Sequence, residues 1–309
     1  MSKGSRLPRL MIAALALGAA LVLLTPQRPP HASAAGPFVV TKTADTNDGT
    51  CDSDCSLREA VGAANASAGA EVITLPANTY ILTIAGVGEN ANTTGDLDVT
   101  DAGGSLTING VGSATTIIDG GALDNVMEVI GTAALTLDGV TVRNGIGSGV
   151  NSGAGNVTVT SSSIIDNNSG GINTYGGNVN VTDSTIDGNS STGINTYAGN
   201  VDVTDSTIDG NSSTGINTSS GGVYIDGSTV NDNTGGGVNT SGGTIEVNGS
   251  AINGNSNTGI NTSSGDVEVD DSTVSDNGDS GVNTSNGEID VSDSTVSGNS
   301  DTGLNTSSG

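Results

Sequence analysis

The sequence predicts an all-β solenoid in which short strands stack coil upon coil, and three observations carry the prediction. From Gly149 to Gly309 one 22-residue unit recurs without insertion or deletion, opening with Gly at Gly149, Gly171, Gly193, Gly215, Gly237, Gly259, Gly281 and Gly303 and an aliphatic residue after each. Every unit then carries two aliphatics around one polar residue, such as Val179-Asn180-Val181 or Ile245-Glu246-Val247, and a last aliphatic at Ile164, Ile186, Ile208, Val230, Ile252, Val274 and Val296. The composition has 49 Gly, one Phe and no Trp, which argues against an ordinary globular core but suits a repetitive β-structure.

Apolar clusters of one to three residues are too short for helices, and their period-two β-branched pattern reads as three strands per unit divided by turns. Each unit closes one triangular coil. Coils stacked at roughly 4.8 Å pair every strand with its copy, parallel and in register, and the inward aliphatics become the core. Parallel pairing usually requires helical crossovers, but here the rest of the coil is the crossover. Two polar columns fit the scheme. Asn167, Asn189, Asn211, Asn233, Asn255, Asn277 and Asn299 fall where the chain turns, so left-handed backbone and an amide ladder are expected there. A second column runs Asn151, Asn173, Asn195, Asn217, Asn239, Asn261, Asn283 and Asn305, followed by Thr except at Ser152. Both are expected to be structural ladders.

The unit "STIDGNSSTGIN" resembles the coil of right-handed parallel β-helix proteins with the pectin-lyase-like fold, over about half the chain. The resemblance implies architecture. That fold carries lyases, hydrolases, adhesins and stalks, so it does not by itself give an activity.

Taken in order, residues 1–34 read as an export signal: Lys3, Arg6 and Arg9 form a positive start, Leu10 to Leu24 an apolar run, and Ala32-Ser33-Ala34 a cleavage site. The apolar run stops at Pro26, short of a span of about 20 residues. No transmembrane helix is therefore expected in the mature chain. His31, the only histidine, would leave with the signal. Only Lys42, Arg58 and Arg143 then remain against 33 acids, so nucleic acid is excluded as a partner and cations become natural counterions.

Residues 35–100 are expected to form an N-terminal cap. Phe38-Val39-Val40 opens a strand, and Ser56 with Glu59 forms a capping box. Leu57, Ala60, Val61 and Ala64 line one face of the short helix that follows, which ends near Asn65. This helix is the expected cover for the open end of the solenoid. The run "DGTCDSDCSLREAVGAAN", continued by Val72 to Pro76, Tyr80 to Thr83, "TGDLDVT" and "TIIDGG", resembles the CSLREA domain found at the start of large secreted bacterial β-helix proteins. Asn78 departs from the usual Gly. The resemblance implies location and architecture and no catalytic role. Given an export signal, Cys51 and Cys55 are expected to form a disulfide worth about 2 kcal/mol, the alternatives being a two-Cys metal site or a redox pair.

Residues 101–148 read as irregular coils with strands at Leu106–Ile108, 116–118, Val126–Ile130 and 135–137. Leu135, Leu137 and Val142 already stand 22 residues before Val157, Val159 and Ile164, so the register of residues 149–309 begins one coil early. The sequence stops seven residues into a coil, which predicts continuation past Gly309 or closure by association at the edge of Ile289, Val291 and Val296.

For chemistry, the array offers no Lys or Arg as a pectate-lyase-like base. Of the polygalacturonase-like motifs it holds only Asp270-Asp271. Asp183 with Asp205 and Asp271 with Asp293 recur on successive coils and would stand about 5 Å apart, a retaining-glycosidase distance. They are the candidate metal ligands, with calcium the expected ion and no other cofactor expected. The outward positions Thr158, Asn180, Asp202, Tyr224, Glu246, Glu268 and Asp290 form no ice-matching Thr plane. Residues 171–192 and 193–214 differ only at Gly176/Ala198 and Asn180/Asp202, and such uniform columns lack the unique constellation catalysis needs. The sequence therefore predicts a secreted or cell-surface structural, adhesin-like protein, with no catalytic residues, contacting extracellular glycans or cell-surface components. The alternative is a polysaccharide-active enzyme, lyase or glycoside hydrolase, or a carbohydrate-binding module on the same fold.

Overall fold

The structure, a computed structural model, describes residues 37–100 and 104–307, and the expected export signal lies outside the described residues. A typical coil of the array consists of strands Val179–Thr182, Thr185–Asp187 and Ile194–Thr196. Each pairs in parallel with its copy one coil on: Val179 faces Val201, Val181 faces Val203, Ile186 faces Ile208 and Ile194 faces Ile216. The described strands assemble into three parallel sheets of 11, 10 and 10 strands. Val179, Val181, Ile186 and Ile194 are wholly buried, and each such side chain contributes about 1.5–3 kcal/mol of hydrophobic stabilisation. Val157 and Val159 pair with Leu135 and Leu137, so the register does begin one coil before its glycines.

The polar columns hold together more tightly than expected. Asn189 Oδ1 accepts from both the backbone N–H and the amide of Asn167 (3.1 and 3.0 Å), while Asn189 Nδ2 donates to Ile164 O and Asn211 Oδ1 (3.1 and 3.0 Å). These Asn side chains point inward and are fully buried from Asn167 to Asn277. The left-handed residue is the one before them: Asp166, Gly188, Gly210, Asp232, Gly254, Asp276 and Gly298 all have φ between 51 and 67°. The expectation that the Asn itself is left-handed is thus corrected. Residues that tolerate positive φ make the bend, and the Asn amide beyond it satisfies buried backbone groups.

The glycine column has the same cause, since a Cβ on Gly193 would lie 2.8 Å from Asn211 Nδ2 and 2.7 Å from Gly215 O. A serine ladder at the preceding turn was not foreseen: Ser162 N donates to Ser184 Oγ and Ser184 N to Ser206 Oγ, both at 3.1 Å. The Thr174 to Thr284 column is buried at strand ends, where Thr174 Oγ1 donates to Gly177 O of the following turn at 2.9 Å.

At the N-terminal end the chain runs β1 (Phe38–Val39), α1 (Leu57–Ala66), β2 (Ala70–Thr74), β3 (Asn78–Ile81), β4 (Leu97–Val99), β5 (Ser105–Asn109), β6 (Thr116–Asp119), β7 (Met127–Val129), β8 (Ala134–Asp138), β9 (Thr141–Arg143) and β10 (Val150–Ser152). Strands β2, β3 and β4 already join the three sheets. Helix α1 packs on β1, β2 and β4, burying Leu57, Ala60, Val61 and Ala64 as its apolar spacing requires. Its capping box is formed: Glu59 N donates to Ser56 Oγ (3.1 Å) and Ser56 N to Glu59 Oε2 (2.7 Å). Cys51 and Cys55 are joined by a disulfide. No helix among the described residues is long and apolar enough to cross a membrane.

Candidate functional site

Asp183, Asp205, Asp271 and Asp293 are exposed turn residues with φ of 49, 48, 49 and 44°. Ser161, Gly227 and Gly249 fill the same left-handed position on other coils at 48, 57 and 54°. Tolerance of that backbone accounts for their identity, and the glycines leave the acids as two separated pairs.

A different set of carboxylates is brought together beneath the cap. Around β4 the run Asp96-Leu97-Asp98-Val99 alternates, with Leu97 and Val99 turned into the core and the acids turned to the other face. Asp98 stands in register with Glu128 of β7, and Glu128 with Asn151 of β10. One carboxylate oxygen from each of Asp96, Asp98 and Glu128 lies within 4.8 Å of the others. Asp96 and Asp98 are 1 % and 0 % exposed. Burial, then the charges of Asp98, Asp124 and Glu128, push the Asp96 carboxyl up to about 7. Burial also pushes Asp98 up to about 6 against the Asn92 N–H bonded to it, with Glu89 and Glu128 adding and Arg58 opposing.

The cap positions this strand. Arg58, 1 % exposed, forks onto Asp45 (Nε to Oδ1 2.8 Å, Nη2 to Oδ2 3.2 Å) and donates to the carbonyls of Gly95 (2.8 Å) and Asp96 (2.7 Å). Asn65 Nδ2 donates to Asp98 O at 2.7 Å, and Asn92 N to Asp98 Oδ2 at 2.7 Å. Burial works against the Glu59 charge, yet the Ser56 and Asp48 N–H groups, the Thr46 hydroxyl and Lys42 hold its carboxyl down at about 2. The Leu57-Arg58-Glu59 segment therefore ties loops and helix to the acid-bearing strand.

Glu128 also ends the outer Asn ladder. Asn195 donates to Asn173 (2.8 Å), Asn173 to Asn151 (2.9 Å) and Asn151 Nδ2 to Glu128 Oε1 (3.1 Å), so the aligned amide dipoles present their positive end to the carboxylate. Each amide spends one N–H and one lone pair on the ladder and keeps one of each. Beside it runs a column that changes character: Gly131, Gly153, Tyr175, Tyr197, then Ser219 and Ser241. The Tyr175 and Tyr197 rings are 69 % and 55 % exposed residues stacked 5.1 Å apart with 6° between planes. The two glycines leave a cavity of about 490 Å³ between Tyr175 and Glu128, floored by Asn151 and Asn173. A Cβ on Gly153 would meet nothing nearer than 3.5 Å, so packing does not require the glycine. An aromatic wall, an amide floor and a carboxylate end suit a polyhydroxylated ligand.

Sequence reasoning singled out none of Asp96, Asp98, Glu128, Tyr175 and Tyr197. The period-two acids of "DLDVT" and the sole appearance of Tyr in an otherwise Gly and Ser column were the available signals.

The family described as right handed beta helix region matches residues 106–250 and 200–309. No curated protein sequence matches the chain. Among solved structures, the chain is similar to the A-module of the Azotobacter vinelandii mannuronan C-5 epimerase AlgE6: 14 % identity, 87 % of this chain, 97 % of that chain, TM-score 0.48. The AlgE4 A-module from the same organism matches at 17 % identity, 88 % and 100 % coverage and TM-score 0.41. The catalytic domain of a GH87 α-1,3-glucanase in complex with tetrasaccharides matches at 10 %, 84 % and 67 %, and 0.27. At these identities the likeness concerns the fold. These matched structures are polysaccharide-acting enzymes by name, a property of those proteins. The expectation of a non-catalytic, adhesin-like protein is corrected at the site, where the premise of uniform columns fails: Asp96, Asp98 and Glu128 form a constellation the repeats do not copy.

Proposed function

The chain belongs to the right-handed β-helix family, and from that premise we propose that it is a polysaccharide-active enzyme, a glycoside-bond-cleaving protein that draws an extended glycan into the groove between Tyr175 and Glu128. The observation that carries the reading is the groove itself, where stacked tyrosines, a floor of half-satisfied amides and an acid cluster meet once along a repetitive surface. Sugar rings lie against the Tyr175 face, hydroxyls bond Asn151 and Asn173, and Glu128, the cluster member that lines the groove, closes the end where the scissile linkage sits. A chain of net charge -26 repels polyuronates, and the amide floor is neutral, so a neutral glycan is the favoured substrate class.

The resemblance of residues 39–125 to the CSLREA domain, the export pattern of residues 1–34 and the Cys51–Cys55 disulfide support a secreted bacterial protein working outside the cell or at its surface. The test is a screen of the full chain against neutral and acidic polysaccharides. Tyr175→Ala is expected to weaken binding roughly tenfold, about 1.4 kcal/mol. Glu128→Gln is expected to abolish product release while binding persists. Failure of every glycan to be retained or cleaved by the unmodified chain would reject the reading.

A further inference from the structure

We propose that Asp96, Asp98 and Glu128 form a binding site for one hard divalent cation, calcium by chemistry, that fastens β4 to β7 under the cap. The inference does not depend on the glycan reading.

Each carboxylate has one oxygen engaged: Asp98 Oδ2 by Asn92 N (2.7 Å), Asp96 Oδ2 by Asn125 Nδ2 (3.4 Å) and Glu128 Oε1 by Asn151 Nδ2 (3.1 Å). The other oxygens of the two aspartates, Asp96 Oδ1 and Asp98 Oδ1, are buried without a hydrogen-bond partner. So is Asn92 Oδ1, on the residue whose N–H holds Asp98 and whose Nδ2 is fixed at 2.8 Å on Arg58 O. Buried carboxylate oxygens are costly unless a proton or a cation sits on them. The Lys and Arg side chains among the described residues are committed elsewhere: Lys42 to Asp54 and Glu59, Arg58 to Asp45, Arg143 to Asp119. Arg58 reaches the Gly95 and Asp96 backbone carbonyls, not the cluster carboxylates.

Two oxygens on one Ca²⁺, each about 2.3–2.6 Å from the ion, stand at most about 5 Å apart. The 4.8 Å limit among the three acids meets that condition. An all-oxygen donor set without His or Cys selects a hard ion over zinc or copper. Asn92 Oδ1, buried and unpartnered on the residue that bonds Asp98, is the candidate neutral ligand from the loop that precedes β4. The cation would cross-link neighbouring coils and that loop at one point.

Calorimetric titration of the chelator-treated full chain with CaCl₂ in 150 mM NaCl tests this, the salt screening diffuse binding to surface acids. One saturable Ca²⁺ per chain is expected, with a dissociation constant of roughly micromolar order, and a melting midpoint several degrees higher in calcium than in chelator. Asp205→Asn should leave both unchanged. Glu128→Gln keeps the acceptor for Asn151 and should weaken Ca²⁺ at least tenfold with β-sheet dichroism intact, and Asp98→Asn should do the same. Absence of saturable binding in the unmodified chain overturns the proposal, as does stoichiometric binding that survives in both Glu128→Gln and Asp98→Asn. Glycan cleavage that persists without calcium binding would remove this proposal alone.

Discussion

The array and the coils under the cap are built from the same three sheets but solve burial of polar groups differently. In the array the buried Asn and Ser side chains meet their own copies: Asn189 bonds Asn167 and Asn211, and Ser184 bonds Ser162 and Ser206. Under the cap the neighbours are not copies. Asp98 faces Glu128, Glu128 faces Asn151, and carboxylate oxygens are left without partners. Repetition satisfies polar groups and so yields structure, while a break in repetition leaves groups unspent and yields a site. The Tyr column teaches the same thing, because the groove exists where Gly153 gives way to Tyr175.

The largest expected effect lies in the cap. Arg58→Met strands the buried Asp45 carboxylate, and breaking such a pair costs about 3–5 kcal/mol. Protease cleavage of the 38–96 region should appear in this variant while the sheet dichroism of the array persists. In the array, Asn211→Ala leaves the buried Asn189 N–H without its partner, at about 1–3 kcal/mol for the orphaned group. The same change in the half-buried outer ladder, Asn217→Ala, should cost only about 0.5–1.5 kcal/mol by chemical denaturation. Equal losses from the two ladders would erase the distinction between structural and ligand-facing amides.

Acid separates the regions as well. Glu59 is held at about 2 in the folded chain against an ordinary value of about 4.5, so its contribution is present above 4.5 and is lost as pH falls through about 2. Hydrogen exchange should show α1 opening in that window, and Glu59→Gln should abolish the dependence. At the small end, Asp205→Gly exchanges one left-handed residue for another that already serves at Gly227, and stability should change by less than about 1 kcal/mol.

The solenoid was legible because its core is periodic: Val179, Ile186 and Ile194 announce their neighbours 22 residues away. The capping box was legible because it is local, needing only Ser56 and Glu59. The acid cluster was not, because the first coils are longer than 22 residues and a fixed-period alignment never sets Asp98 beside Glu128. Handing the left-handed turn to Asn189 instead of Gly188 was an error of one position, since sequence shows which residues tolerate positive φ but not which of two adjacent ones uses it. The four repeat aspartates drew attention by recurring, and recurrence marked their turn role.

The most direct test of the claim that function sits where repetition breaks is to add a tyrosine at two places in the Tyr column, one in the groove and one on the array. Gly153→Tyr continues the stack into the groove, where a Cβ has room, whereas Ser241→Tyr places the same ring on the uniform array. Polysaccharide affinity measured for both variants against the unmodified chain should fall at least tenfold, about 1.4 kcal/mol, for Gly153→Tyr and stay unchanged for Ser241→Tyr, with equal melting midpoints. Undiminished affinity in Gly153→Tyr, or an equal loss in both, would contradict the account.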